Sequence, residues 1–198
     1  MGAVTAFRVL TVCTGNICRS PGAQFLLADE FARRGAGDEI IVASAGTRPL
    51  EGHPVDPSMA RLLEADGIDV SEFAARRLDR HLVQDADLVL GLTRGHRARV
   101  VEMDPGALKR TYTLRELARL AEQVDPDELD RVAGADADLQ QRFRLLLAIV
   151  PRYKTPVPPA DDDVEDPYKR EDEVFAAVHD QMKKAIRSLA RVILPPRS

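Results

Sequence analysis

The chain is short of cysteine, of surplus positive charge and of long apolar runs, and each shortage removes a class of function. Its 198 residues include two cysteines. That is too few for a disulfide framework, so both are expected as free thiols with a chemical or packing role. Lys and Arg number 28 against 32 Asp and Glu, a formal net charge of -4. No basic footprint is offered to nucleic acid, which is therefore not an expected partner. No apolar stretch reaches the roughly 18 residues of a membrane-spanning helix, so no membrane association is expected. The first apolar segment is interrupted by Arg8, lacks a basic flank and leads straight into a cysteine turn, unlike a signal peptide. A cytoplasmic address is expected. No internal repeat is present. With 44% hydrophobic and 30% charged residues, the composition is that of an ordinary soluble globular protein, long enough for one sizeable domain.

Strand and helix signals alternate. Phe7–Val12 is a β-branched, apolar run suited to a central parallel strand, and Ile40–Ala43, Asp87–Leu92 and the shorter Thr111–Leu114 are further strands. Ser20-Pro21 reads as a helix start, a capping hydroxyl before a proline, and the helix ends near Arg34 and Gly35. Asp56-Pro57 opens a second helix that stops at Gly67, Arg94–Met103 forms a third, and about Glu171 to Leu194 a last. The pattern predicts an α/β fold in one domain over 1–198: a central four-stranded parallel sheet flanked by helices. Residues of about 122–160 carry additional helical signals, read as an insertion, and 151–167 (PRYKTPVPPADDDVEDP) read as a loop whose Asp run is solvated. Placement of the insertion, over a pocket mouth or on the far side, stays open at this stage.

In open parallel sheets, ligands bind beyond the carboxyl ends of the strands. The first strand ends there in Cys13-Thr14-Gly15-Asn16-Ile17-Cys18-Arg19-Ser20, with Cys13 and Arg19 in a C-x5-R spacing. Backbone N–H groups of a tight loop at a helix N-terminus form an anion nest. Gly15 and Asn16 suit the unusual backbone angles of such a loop. The Arg19 fork matches two oxygens of a tetrahedral oxyanion. A cysteine facing these groups is favoured as its thiolate, and cysteines at helix N-termini or beside cations titrate at roughly 3.5–7.5. The loop therefore activates a nucleophile and holds phosphate beside it. It lacks the Gly-Lys-Ser/Thr ending of a nucleotide loop, and the chemistry calls for no metal and no cofactor.

VCTGNICRSP (12–21) closely resembles the active-site loop of low-molecular-weight protein tyrosine phosphatases. SAGT (44–47), DPSMARLLEADGIDVS (56–71), DADLVLGLTRGHR (85–97) and EDPYKREDEVFAAVHD (165–180) are similar to further segments of that family. The resemblance implies a phosphatase with Cys13 as nucleophile, Arg19 as phosphate clamp and a general acid from an Asp-Pro loop. As a turn signal, Asp-Pro occurs at Asp56, Asp104, Asp125 and Asp166, and residue chemistry does not choose among them. The resemblance does: Asp166, followed by Pro167 and Tyr168 before the last helix. It also implies that Thr14, Gly15, Asn16, Ile17, Cys18 and Ser20 line the phosphate loop. Ser20 would bond the Cys13 thiolate, Ser44 would brace the loop with Asn16, and Cys18 would be a redox partner of Cys13. The implied substrates are phosphotyrosine proteins or small aryl phosphates.

Three departures stand out. Arg48-Pro49-Leu50 replaces an aromatic pocket wall, VSEFAARRL (70–78) lacks a bracing histidine that His53 or His81 would have to supply, and Lys169 stands where a second aromatic is common. Two other functions use the same loop: an arsenate reductase relying on external thiols, and a non-catalytic phosphate- or phosphoprotein-binding module. A binder has no need of Asp166 as a proton donor.

Overall fold

The computed structural model describes residues 6–134 and 137–194. Strand β1 (Phe7–Cys13) runs into α1 (Arg19–Arg33), and β2 (Ile40–Gly46) is followed by α2 (Pro57–Ala65) and a short α3 (Arg80–Asp85). Next come β3 (Leu88–Gly91), α4 (Arg94–Met103) and β4 (Thr111–Thr113). The rest is helical: α5 (Leu114–Ala121), α6 (Pro126–Ala133), α7 (Leu139–Ile149), α8 (Pro159–Asp162) and α9 (Asp172–Ile193).

The strands lie in the order β2-β1-β3-β4, all parallel. Alternation along β1 divides the core between the two faces. Phe7, Val9 and Cys13 join the larger apolar cluster with Leu27 and Phe31 of α1 and Met182 and Ile186 of α9. Leu10 and Val12 join the smaller one with Val83 of α3 and Val100 of α4. From β1 the chain moves to β2 on one side, then returns past β1 to β3 on the other. The crevice between the carboxyl ends of β1 and β3 is thus the switch point of the sheet, where the connections leave toward opposite faces. Cys13 ends one of these strands, and Thr93, the N-cap of α4, follows the other.

Several local expectations are corrected. Helix α1 begins at Arg19 with Cys18 at its N-cap and no side-chain cap, so Ser20 lies inside the helix and is not its cap. Pro21 is tolerated because the first turn has no intrahelical acceptor for its missing N–H. Helices α3 and α5 carry side-chain caps of their own. Asp79 accepts from Leu82 N, and Thr113 and Glu116 form a reciprocal capping box. The Asp run is not simply solvated. Asp162 is buried and ion-paired with Arg119 at 3.0 Å, Thr113 Oγ1 donates to its carbonyl, and Asp163 accepts from Arg94 N at 2.7 Å.

Helices α6 and α7 occupy the 122–160 stretch away from the cysteine turn. Phe143 of α7 stacks on Phe7 with centroids 4.3 Å apart and packs on Phe31. Phe7 opens the strand that Cys13 closes, and seven residues at about 3.3 Å each separate the two ends by roughly 20 Å. This stretch reinforces the far side of the sheet. The chain then returns through 150–164, where Val164 N donates to Leu92 O at 2.8 Å and brings the following loop to the switch point. No helix among the described residues is long and apolar enough to cross a membrane, and among them no group of three or more His, Cys, Asp or Glu could hold a metal ion.

Candidate active site

The turn between β1 and α1 is held from outside by its carbonyls. Cys13 O accepts from Thr47 N at 2.9 Å, Thr14 O from Arg48 N at 3.0 Å, Gly15 O from Leu50 N at 3.0 Å and Ile17 O from Asp56 N at 2.8 Å. In a trans peptide the C=O and the following N–H point to opposite sides. Fixing these carbonyls outward therefore turns the N–H groups of Thr14, Gly15, Asn16 and Cys18 inward, and Asn16 N accordingly meets the Cys13 sulfur at 3.3 Å. The concave side of the turn is thus lined by N–H groups, the arrangement an anion nest requires. Its left-handed residue is Asn16, at φ 55, whereas Gly15 is not among the positive-φ glycines. Gly46 makes room for the turn, since a Cβ there would lie 2.6 Å from Thr14 O.

A buried polar network supports the loop. The Ser20 hydroxyl lies 2.9 Å from Cys13 Sγ, and Asn16 Nδ2 donates to both Ser20 Oγ and Ser44 Oγ at 2.9 Å. The other end of the Asn16 amide accepts from Arg76 N at 2.8 Å, and Arg76 Nε reaches Ser44 O at 2.9 Å. Arg76 thus does the bracing for which a histidine was sought. His53 and His81 take no part: His53 bonds Glu51 O, and His81 is exposed beside Asp85.

Sequence reasoning also missed His96. It is 7% exposed, with Nε2 2.9 Å from Thr14 Oγ1 and Nδ1 3.0 Å from Thr93 Oγ1. Burial, reinforced by the nearby Arg19 charge, lowers its pKa to about 4. His96 is therefore neutral near pH 7 and joins the phosphate loop to the start of α4 without adding charge. Its signal lay within DADLVLGLTRGHR, but only the fold shows that this turn faces Thr14.

Arg19 is 5% exposed. Its Nη2 lies 2.7 Å from Asp166 Oδ2 and its Nη1 3.4 Å from Val164 O, while its buried Nε has no hydrogen-bond partner. A buried guanidinium donor without an acceptor, beside inward amides, is a place prepared for an oxyanion. The Asp166 side chain is 54% exposed, at the mouth of the cleft. Asp166 Oδ1 accepts from Tyr168 N at 3.2 Å. Lys169 takes φ 60, a left-handed turn that costs a non-glycine residue on the order of 1 kcal/mol and sharpens the loop.

One cleft of about 170 Å³ gathers Cys13, Thr14, Gly15, Ile17, Cys18, Arg19, Arg48, Leu50, Asp166 and Tyr168. Leu50 and the exposed Tyr168 supply its apolar wall, where an aromatic after the Ala-Gly-Thr turn is absent. Asn16, Ser20 and Ser44 stand behind the loop, fully buried or nearly so. Both cysteines are free thiols, and burial, followed by the Asp56 and Cys13 charges, pushes the Cys18 thiol up.

The family model "Low molecular weight phosphotyrosine protein phosphatase" matches residues 8–148. Asp166 lies beyond that span, so its place in the site rests on the geometry just given. Protein-tyrosine phosphatase A of Mycobacterium tuberculosis H37Rv is 34% identical over 144 residues, 72% of this chain and 86% of that protein. An arsenate reductase of Halalkalibacterium halodurans is 38% identical over 101 residues, 51% of this chain and 66% of that protein. Among solved structures, a low molecular weight protein tyrosine phosphatase from T. tengcongensis superposes with TM-score 0.66 at 25% identity, covering 94% of this chain and 99% of that one. The chain belongs to the low molecular weight phosphotyrosine protein phosphatase family and is a cysteine-dependent phosphatase of that type.

Proposed function

We propose that the cleft hydrolyses phosphotyrosine in proteins, and small aryl phosphates, through a phosphocysteine. The observation that carries this reading is the convergence of Cys13, the unpaired Arg19 Nε and Asp166 on one cleft. The Cys13 sulfur attacks phosphorus in line while the inward amides and Arg19 hold the three equatorial oxygens. The phosphorus–oxygen bond to the aryl group breaks as the sulfur–phosphorus bond forms, and Asp166 gives its proton to the departing oxygen. Asp166, then a carboxylate, takes a proton from water, whose oxygen attacks phosphorus. Phosphate leaves and the Cys13 sulfur is regenerated. Ser20 and Asn16 hold the sulfur in line between turnovers, and no cofactor or metal enters the cycle.

Cys18 fits the redox role in this scheme. Peroxide takes Cys13 to a sulfenic acid, and the Cys18 sulfur displaces water to form a disulfide that thiols reduce. Its raised pKa makes that second step slow, because the thiolate is the attacking form.

The test of the acid is its dependence on the leaving group. Asp166→Ala is expected to slow phosphotyrosine hydrolysis by about 10²–10⁴ and p-nitrophenyl phosphate, with its better leaving group, much less. Equal losses on both substrates would remove Asp166 from the acid role.

The similarity to an arsenate reductase supports a second reading, since arsenate is a tetrahedral oxyanion like phosphate. Cys13 and Cys18 are the chain's only cysteines and both border the loop. Reduction would then depend on an outside thiol, and arsenate-dependent consumption of glutathione or thioredoxin thiols tests it.

A further inference from the structure

A second cavity lies on the other side of Thr14. It has a volume of about 510 Å³ and is bordered by Thr14, Thr47, Arg48, Thr93, His96 and Arg99. Thr14 and Arg48 line both this cavity and the Cys13 cleft, so together they form the partition between the two. The second cavity adjoins the first, within reach of a side chain flanking a phosphorylated residue seated in the Cys13 cleft.

The charges around the cavity point to the sign of that group. Arg48 is exposed, and among the described residues its guanidinium has no carboxylate partner and no hydrogen bond. Its backbone, however, is fixed. Arg48 N donates to Thr14 O, Thr47 N to Cys13 O and Leu50 N to Gly15 O, with Pro49 limiting the freedom of the segment between them. The cation is thereby anchored beside the phosphate loop. Arg99 projects from α4 and pairs with Glu102 at 2.6 Å, but both side chains are more than half exposed, and such pairs are readily exchanged for a better anion. Arg94 is held by Asp163 through both its backbone and its side chain. His96 spends its two ring nitrogens on Thr14 and Thr93 and brings no charge near neutrality. The nearby carboxylates, Asp163, Asp166 and Glu102, already face arginines: Arg94, Arg19 and Arg99. The two guanidiniums and the hydroxyl of Thr47 therefore remain for a guest, since Thr93 Oγ1 is taken by His96, and planar guanidinium forks favour carboxylates and phosphates.

We propose that this cavity is a second anion subsite, in which Arg48 and Arg99 bind an acidic group carried by a residue flanking the phosphotyrosine. The proposal rests on the phosphatase reading of the Cys13 cleft and narrows its substrates to phosphotyrosine in acidic or multiply phosphorylated sequence. A side-chain carboxylate and a second phosphate share the chemistry required.

The experiment measures kcat/KM for wild type, Arg48→Gln and Arg99→Gln on phosphotyrosine peptides differing only in the two flanking residues: alanine, glutamate or phosphoserine. Wild type is expected to prefer an acidic peptide over the alanine peptide by about three- to tenfold. That preference should shrink as salt rises, because the arginines are at the surface. At least one of the two variants is expected to bring it toward unity. Preference for phosphoserine alone assigns a second phosphate, and similar preference for both acidic peptides assigns any acidic side chain. Equal kcat/KM on all three peptides, or a preference undiminished in both variants, overturns the subsite. Hydrolysis of p-nitrophenyl phosphate by wild type is followed in parallel. Its absence would overturn the phosphatase reading itself, so the two failures are told apart.

Discussion

Arg19 Nη2 and Asp166 Oδ2 meet at 2.7 Å, joining the first residue of α1 to the loop ahead of α9. The pair is lopsided: the Arg19 side chain is 6% exposed and the Asp166 side chain 54%. A phosphate seated on the amide nest would present oxygens to the same guanidinium, whose Nε already lacks a partner. Bound oxyanion should therefore stabilise the fold. At inorganic phosphate near 100 times its dissociation constant, the gain is about 2.7 kcal/mol, seen as a rise in Tm. Arg19→Ala should abolish the phosphate-dependent part of that rise. A wild-type Tm indifferent to phosphate, at concentrations that inhibit turnover, would contradict the clamp.

His96 gives the protein a defined acid sensitivity. Its folded-state pKa of about 4 lies below the ordinary 6.5 because burial and the Arg19 charge oppose protonation. Between these values the unfolded chain takes up a proton that the folded chain refuses. Stability is thus lost as pH falls through about 6.5 to 4, by on the order of 3 kcal/mol, and His96 contributes nothing to the slope above that window. Urea unfolding at pH 7.5, 5.5 and 4.5 should show a shallower decline for His96→Asn than for wild type. Parallel declines would remove His96 as the source.

The stack of Phe143 on Phe7 separates stability from chemistry. Phe143 is fully buried at the end of β1 remote from Cys13. Phe143→Ala should cost about 3–5 kcal/mol through lost burial and the cavity left behind. Below its lowered Tm, kcat for p-nitrophenyl phosphate should match wild type. A kcat reduced in step with stability, in a fully folded sample, would connect α7 to the active site.

The parts of this site readable in the sequence are contiguous. CTGNICRS combines nucleophile, nest and clamp in one turn, and its chemistry follows from residue types and from its position between a strand and a helix. Asp166 required resemblance, because four Asp-Pro pairs share the same local signal and only the fold brings one of them to Arg19. Arg76 and His96 were missed for a related reason. Each acts through contacts between segments far apart in sequence, Arg76 from beside the end of β2 on Asn16 and His96 from α4 on Thr14. Ser20 misled because a serine before a proline resembles a cap. Cys18 caps the helix two residues earlier than that reading required, which frees the Ser20 hydroxyl for the sulfur. The Asp run looked solvated because burial of a carboxylate depends on a partner, and Arg119 arrives from α5.

The most direct test of the account is hydrolysis of p-nitrophenyl phosphate by reduced wild type and by Cys13→Ser, with chelator present and no added metal. The account predicts chelator-resistant turnover in wild type and loss of essentially all of it in the variant, with the fold and Tm retained. Turnover that survives Cys13→Ser, or that chelator abolishes in wild type, would contradict it.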